Sequence, residues 1–145
     1  VALSDAGLIR AVRQMQDLPG QAVFQYLDED GARQSVGSAD VNAYLREAMG
    51  ADFTAKNFRT WHASVIGLAF LHEADGRVPA KALLDAVADR LGNTPAVARA
   101  SYIHPAVLAL VERQEEWRAG VRLPRSTRWM TRTERALLEL LETGP

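Results

Sequence analysis

Cysteine is absent from this sequence, and lysine is nearly so. The 145 residues contain no cysteine, which excludes disulfide bonds and thiolate metal sites and fits a reducing cytoplasm. The three histidines, His62, His72 and His104, share no metal-ligand spacing, so we assign no metal. Among the 17 cationic residues, only Lys56 and Lys81 are lysines. Any catalysis must therefore use a nucleophile other than a thiol.

Long apolar runs and the common catalytic motifs are also missing. The apolar segment 64–71 is followed at once by polar residues, well short of the roughly 20 residues that a membrane span needs. The sequence has no Gly-x-Ser-x-Gly elbow, no glycine-rich phosphate loop and no His-Glu-x-x-His helix. The acidic run 28–30 lacks the alternating ligands of a calcium loop and is expected to be a solvated turn. These absences predict a protein without a membrane span or a metal site.

Charge is balanced over the whole chain but uneven along it. The formal net charge is −1, whereas DNA-binding proteins usually carry a basic surface that neutralises phosphates. Between residues 113 and 135, however, three glutamates face a larger set of arginines: Arg113, Arg118, Arg122, Arg125, Arg128, Arg132 and Arg135. The stretch suits a solvated face or a phosphate-binding surface, and taken alone it favours the solvated face.

Apolar residues recur at helical spacing behind residues that favour helix starts. The expected N-caps or first residues of the helices are Ser4, Ser38, Thr54, Pro79 and Thr94. The longest helix should cover about residues 55–72, with Phe58 and Trp61 on its apolar stripe and Gly67 as its weak point. Residues 106–117 and 133–142 are expected to form the last two helices.

Two interruptions complete the predicted architecture. Residues 23–27 and 33–36 flank an Asp-Gly pair and suit a small hairpin or an irregular loop. Pro105 keeps His104 out of the helical region, so a break should fall just after Tyr102. The fold class is therefore mainly α with at most one small hairpin, and we expect residues 1–145 to form a single domain or part of one.

Four blocks of residues make the sequence recognisable. They are Leu18-Pro19-Gly20-Gln21 before Phe24-Gln25-Tyr26-Leu27-Asp28, then Ser38-Ala39-Asp40-Val41-Asn42-Ala43-Tyr44-Leu45-Arg46, then Lys56-Asn57-Phe58-Arg59-Thr60-Trp61, and finally residues 92–105 with Ser101-Tyr102-Ile103-His104-Pro105. In this order and spacing they resemble bacterial, poxvirus-like type IB DNA topoisomerases. The resemblance implies the C-terminal part of a catalytic domain whose fold is shared with tyrosine recombinases.

The resemblance also implies a reaction. Such an enzyme cuts one strand of double-stranded DNA by attack of a tyrosine hydroxyl, leaving a 3′-phosphotyrosyl link and a free 5′-hydroxyl. The DNA then swivels and is resealed, which relaxes supercoils. Neither ATP nor a metal is needed, because the covalent link preserves the phosphodiester energy. We expect a monomer without a cofactor, acting on DNA in the cytoplasm at the nucleoid.

Four residues match functional positions of this family, and a fifth lies beside one of them. Tyr102 takes the position of the nucleophile, and because a phenol is mostly protonated at neutral pH it needs cations nearby. Arg59 and Asn93 match the side chains that bind the non-bridging phosphate oxygens, one through a planar guanidinium and the other through an amide. Lys56 matches the family's lysine one helical turn before the arginine, which implies a DNA contact or an assisting role in proton transfer. Arg99 lies beside the nucleophile and is expected to contact a DNA phosphate.

The chain also departs from the family pattern. The family requires a further arginine, and a hairpin lysine that acts as general acid, both upstream of the region where the resemblance begins. We therefore expect the chain to be a fragment that alone is nearly inactive, since loss of a general acid costs about 10²–10⁴-fold. Asn57 replaces a frequent aspartate, and the stretch His62-Ala63-Ser64 stands where the family more often has small residues and threonine.

Other interpretations stay open at this stage. Taken singly, Tyr102 is a packing tyrosine, Arg59 a salt-bridge partner and Asn93 a turn residue. Phe58 and Trp61 are expected to be core aromatics. A tyrosine recombinase or integrase shares the fold and the nucleophile, but it usually carries His-x-x-Arg where this chain has Lys-Asn-Phe-Arg. A helical DNA-binding module without catalysis is the third alternative.

Overall fold

The computed structural model describes residues 5–17, 19–20, 22–50 and 52–144. The chain divides into two compact units, Val1–Ala55 and Lys56–Pro145. The helices, in chain order, are α1 (Ala6–Gln16), α2 (Ser38–Met49), α3 (Ala55–Glu73), α4 (Ala80–Leu91), α5 (Pro95–Ser101), α6 (Pro105–Ala109), α7 (Gln114–Gly120) and α8 (Arg132–Thr143); the strands are β1 (Gln25–Leu27) and β2 (Arg33–Ser35). A mainly helical fold with one small hairpin is thus confirmed, while the expected single domain stays a prediction.

The first unit contains α1, the hairpin and α2. The carboxylate of Asp5 caps α1 by accepting from the N–H of Leu8; the cap expected at Ser4 lies outside the described residues. Gly37 rather than Ser38 is the N-cap of α2, and the carboxylate of Asp40 accepts the Gly37 N–H at 2.8 Å. The prediction for Ser38 was therefore one residue late.

The hairpin has the antiparallel register Gln25↔Ser35, Tyr26↔Gln34 and Leu27↔Arg33. Its turn is held by Asp28, whose Oδ1 accepts the N–H groups of Asp30 and Ala32, while Gly31 adopts a φ of 76°. The side-chain amide of Gln34 and the Ala32 N–H, both donating to Asp28, hold the pKa of its carboxyl below the ordinary value. The acidic run is therefore a turn whose first carboxylate is occupied by its own backbone.

The second unit holds the hydrophobic core. Among the described residues, every buried apolar side chain lies between Ala63 and Leu140, on α3, α4, α5, α6 and α8 and in the segments that join them. A Cβ built on Gly67 would lie 3.3 Å from Cγ1 of Val107 and 3.4 Å from Cδ1 of Leu83. The small residue in the longest helix therefore marks the place where α3 packs closely against α4 and α6.

The buried face of α3 overlaps the apolar stripe that the sequence predicts, since Leu68 and Leu71 belong to both. It runs through Ala63, Ser64, Gly67, Leu68 and Leu71. Trp61 packs against the core as expected, and its indole N–H donates to Glu134 at 3.4 Å. Phe58 was predicted to be a core aromatic, and this is wrong because its position on α3 leaves it 48% exposed.

The single helix predicted over residues 106–117 is two helices, α6 and α7. Arg113 has φ −122° and ψ 26°, which is not helical, and the intervening residues form turns. The side-chain amide of Gln114 donates to Val111 O at 2.6 Å and to Val78 O at 2.9 Å, and its oxygen accepts the Val78 N–H at 2.6 Å. The buried Gln114 side chain therefore forms hydrogen bonds that backbone groups would form in a continuous helix.

Candidate active site

Arg59 lies in the second turn of α3, and its guanidinium meets the ends of two other helices. Its Nη2 donates to Leu91 O, the last residue of α4, at 3.2 Å. Its Cζ lies 5.0 Å from the centre of the Tyr102 ring, immediately after α5. The carbonyl and the ring together fix the position of the group. The structure therefore brings together Arg59 and Tyr102, two of the three predicted catalytic residues.

The position of Tyr102 follows from the caps of α5. Thr94 caps the helix through the Val97 N–H, and Pro95 occupies its first turn, as the sequence predicts. The helix ends at Ser101, and the N–H groups of Tyr102 and Ile103 both donate to Ala98 O, at 3.1 and 3.0 Å. The predicted break after Tyr102 is thus confirmed. These two hydrogen bonds hold the backbone at the end of α5, from which the half-buried Tyr102 side chain projects.

Asn93 lies in the short connection between α4 and α5. Gly92 ends α4 with a φ of 64°, and the Asn93 N–H donates to Ala88 O at 2.9 Å. The side-chain Nδ2 of Asn93 is buried and has no hydrogen-bond partner among the described residues. A buried amide without a partner costs about 1–3 kcal/mol. The Asn93 side chain therefore keeps an unused hydrogen-bond donor, two residues from the carbonyl that accepts the bond from Arg59.

Ser64 connects the two sides of the site, and the sequence analysis did not single it out as functional. Its side chain is buried; its hydroxyl donates to Thr60 O at 2.7 Å and accepts the His104 N–H at 3.0 Å. Thr60 follows Arg59, and His104 lies two residues after Tyr102. The signal that could have found Ser64 is its spacing, because it lies three residues after Trp61 on the core side of α3.

Lys56 and Arg99 lie near this site along the chain, but no contact joins them to it. Lys56 precedes Arg59 by one turn on α3, and Arg99 precedes Tyr102 by one turn on α5. Both side chains are exposed and make no hydrogen bond or ion pair with the residues described. Their assignment as DNA contacts stays a prediction.

Two of the three histidines make contacts within the fold. Nδ1 of His104 accepts the Ala106 N–H and so caps α6, while the His72 ring meets that of Trp117 edge-on.

No group of three or more metal-ligating side chains occurs in residues 5–17, 19–20, 22–50 and 52–144. Within the same ranges, no helix has the length and apolar character needed to cross a bilayer.

Comparison with known proteins places the chain in a family. The family described as "Eukaryotic DNA topoisomerase I, catalytic core" matches residues 1–117, which include every candidate site residue named above. The chain belongs to the DNA topoisomerase I family. The DNA topoisomerase 1B of Acanthamoeba polyphaga mimivirus is 33% identical over 123 residues, covering 75% of this chain and 37% of the viral protein. The resemblance read from the sequence is thus confirmed for the family, and neither match supports a bacterial source.

The match covers only part of the viral relative. The chain spans little more than a third of the length of that topoisomerase 1B. Family membership follows directly from the matches, whereas the activity of a whole enzyme, its substrate and the roles of single residues rest on the geometry described above.

Proposed function

We propose that this chain is the C-terminal part of the catalytic domain of a type IB DNA topoisomerase, which relaxes supercoiled double-stranded DNA. The observation that carries the proposal is the guanidinium of Arg59, held by Leu91 O and positioned 5.0 Å from the Tyr102 ring. A tyrosine nucleophile and a cation beside it are two of the groups that attack on a phosphodiester requires, and the family matches favour the same chemistry.

In the proposed cleavage step, the Tyr102 oxygen attacks a backbone phosphorus as the phenol loses its proton to water. The bond from phosphorus to the 5′-oxygen breaks, and a 3′-phosphotyrosyl link and a 5′-hydroxyl result. Arg59 donates to the non-bridging oxygens, where negative charge grows in the transition state. The buried Nδ2 of Asn93 donates to the same phosphate and so gains its missing partner. Attack by the 5′-hydroxyl on phosphorus reverses the step and reseals the strand.

The proposed reaction needs neither ATP nor a metal, because cleavage exchanges one phosphodiester for another of similar energy. It does need a proton donor for the 5′-oxygen. In this family that donor is a lysine on a hairpin, and neither lysine of this chain fits. Lys56 lies on α3, and Lys81 lies on α4 with its Nζ 2.6 Å from Asp85. We therefore propose that the 145 residues alone have little activity, and that the protein acts as a DNA-associated monomer.

The proposal is tested by joining this chain to the upstream part of the mimivirus topoisomerase 1B. We expect the chimera to relax supercoiled plasmid without ATP or magnesium. Tyr102→Phe should lower the rate by at least about 10⁴-fold and abolish the covalent DNA adduct, since the nucleophile is gone. The matched control is Tyr44→Phe, which removes the hydroxyl of a tyrosine that is 69% exposed on α2 and should leave relaxation unchanged.

Other outcomes would contradict the proposal in different ways. Cutting at one defined sequence, with strand exchange and without general relaxation, would indicate a tyrosine recombinase. DNA binding by a folded chimera that forms no adduct would indicate a binding module. Relaxation that survives Tyr102→Phe would remove the assigned nucleophile while leaving the family intact.

A further inference from the structure

The segment between α7 and α8 differs from the rest of the second unit. Residues 121–131 form neither helix nor strand. Together with Arg132 they make up what we call the arginine–tryptophan segment, residues 121–132. It contains Arg122, Arg125, Arg128 and Arg132 and no acidic residue, in a chain whose net charge is −1. Positive charge is therefore concentrated where the backbone lacks regular structure.

Some arginines of the C-terminal region hold the fold together. Arg132 donates from Nε to Pro124 O at 3.3 Å and from Nη2 to Leu123 O at 3.2 Å. Arg135 donates to Arg125 O at 2.7 Å. These bonds tie the backbone of the segment to the first turn of α8. Their guanidinium groups are therefore engaged within the protein and fix the path of the segment.

Three arginines of the segment are left for another role. The side chains of Arg122, Arg125 and Arg128 are exposed and make no hydrogen bond or ion pair with the described part of the chain. Arg113 differs from them, since it lies in a surface depression that Glu112, Glu115 and Glu116 also line. The three free charges therefore have no acidic side chain bonded to them, while the charge of Arg113 is locally offset.

Trp129 is the second unusual feature of the segment. It is 80% exposed, and the Cζ of Arg128 lies over its ring at 4.6 Å from the centre. The turn that presents the pair is well bonded, because Thr127 Oγ1 accepts the N–H groups of Trp129 and Met130, and the Thr127 N–H donates to Met130 O. The indole restricts the orientations of the guanidinium, so less side-chain entropy is lost when Arg128 binds an anion.

We infer that the arginine–tryptophan segment is a second DNA-binding element, in which Arg122, Arg125 and Arg128 bind phosphates of the duplex and Trp129 orients Arg128. Five residues lie between the outer arginines, so their Cα atoms are at most about 20 Å apart. A DNA strand offers a phosphate every ~3.4 Å along the helix axis, so each guanidinium can reach a different one. The inference rests on the proposed function, because that function brings duplex DNA to this chain.

An anionic membrane is the other surface that attracts arginine, and the segment suits it less. Membrane-surface binding needs an amphipathic helix with a broad apolar face. This segment is not helical, and Trp129 is the one large exposed hydrophobic residue within 121–132. A single indole covered on one face by Arg128 offers little apolar area to bury. Charge complementarity to a phosphate backbone therefore favours DNA.

The test measures binding of the 145-residue chain to a random-sequence DNA duplex between 50 and 200 mM NaCl. The variant Arg122→Gln/Arg125→Gln/Arg128→Gln should flatten the slope of log K against log salt by about 2.7, or 0.9 for each lost phosphate contact. Over this range the wild-type affinity should thus fall about 40-fold more than that of the variant. The control Arg77→Gln/Arg113→Gln removes exposed arginines near Glu112 and should leave the slope unchanged.

Trp129 is tested in a double-mutant cycle with Arg128. Trp129→Ala should weaken duplex binding about as much as Arg128→Gln, and the double variant should be no weaker than either, because the indole acts through the guanidinium. Additive losses, or a loss confined to single-stranded DNA, would mean that Trp129 contacts bases directly and would overturn its assigned role. Binding to phosphatidylserine vesicles with an unchanged duplex slope would replace DNA by a membrane.

The same variants separate this inference from the proposed function. A triple variant with an unchanged slope, in a chimera that still relaxes plasmid through Tyr102, overturns the second element alone. A flattened slope in a chimera that never forms a covalent adduct supports the element and contradicts the topoisomerase activity. Circular dichroism of each variant at 25 °C checks that the helices persist.

Discussion

The layer formed by α3 to α7 and the arginine–tryptophan segment differ in how far they lie from solvent. Both contain backbone N–H or C=O groups that find no partner within a helix or strand. In the layer, the buried side chains of Gln114 and Ser64, both 1% exposed, form hydrogen bonds with these backbone groups. In the segment, exposed Arg132 does so from the solvent side. Because an unpaired group costs far more where water cannot replace the lost bond, the layer should be sensitive to single substitutions and the segment tolerant of them.

The largest effect on stability is expected from Gln114→Leu. Leucine has a similar volume but bonds nothing, so the Val78 N–H loses its acceptor and the carbonyls of Val78 and Val111 lose a donor. At about 1–3 kcal/mol for an unsatisfied buried group, partly offset by apolar burial, we expect a loss of about 2–4 kcal/mol. Urea denaturation followed by circular dichroism measures it.

The control for this prediction is Glu116→Gln, an exposed substitution two residues further along α7 that should change stability by less than about 0.5 kcal/mol. A loss below 1 kcal/mol for Gln114→Leu would mean that water reaches the Val78 peptide. The contrast between the layer and the segment would then fail at the residue that defines it most clearly.

Ser64 is expected to show an intermediate effect that extends from stability to activity. Ser64→Thr and Ser64→Val add the same volume, but only threonine keeps the hydroxyl that accepts the His104 N–H. We expect valine, relative to threonine, to destabilise the chain by about 1–3 kcal/mol. In the chimera, valine should also slow strand cleavage about 10–100-fold at unchanged DNA affinity, because Arg59 and Tyr102 shift relative to each other.

Two measurements check that Ser64 acts by positioning. Hydrogen exchange of the His104 amide should be fast in the valine variant and slow in the threonine variant. Single-turnover cleavage should be restored by threonine alone. Equal cleavage rates for the two variants would show that Ser64 fills space in the core and does not align the site, even if both lose stability.

Local signals explain how much of the fold could be predicted. Thr94 followed by Pro95 fixed the start of α5, and Pro105 fixed the break after Tyr102, because caps and prolines act on their own neighbours. The division of 106–117 into two helices could not be predicted in this way. It depends on Gln114 meeting Val78, 36 residues earlier in the chain, and nothing in the local sequence distinguishes this glutamine from an exposed one.

The candidate site divides along the same line. Motif resemblance selected Arg59, Asn93 and Tyr102, and the contact between Arg59 and Tyr102 agrees with that choice. It could not predict that Leu91 O holds the guanidinium, or that the Asn93 amide is buried without a partner, because both depend on how α3 packs against the α4–α5 connection. The prediction that Phe58 lies in the core was wrong for a related reason. Helical spacing shows that an apolar stripe exists, but it does not show which edge of the stripe other helices cover.

The smallest effect is expected where the segment joins α8, and it depends on pH. Glu134 closes a capping box with Thr131, accepting its N–H at 2.7 Å and its hydroxyl at 2.8 Å. The Thr131 N–H, followed by its hydroxyl, holds the pKa of the Glu134 carboxyl below the ordinary value of 4.5. A lowered folded-state pKa means that the charge stabilises the fold above about pH 4.5 and that this stability is lost as pH falls through the lower value.

Glu134→Gln should therefore lower the melting temperature at pH 7, with a loss of at most about 1 kcal/mol, and the difference from wild type should shrink towards pH 3. The control Glu142→Gln removes an exposed carboxylate that makes no hydrogen bond within the described residues, so it should change the melting temperature little. A Glu134→Gln difference that is constant from pH 7 to pH 3 would mean that a neutral amide caps α8 as well as a carboxylate. The N-cap of α8 would then not depend on the charge of Glu134, and the junction of the segment with α8 would be more tolerant of substitution than its contrast with the buried layer already implies.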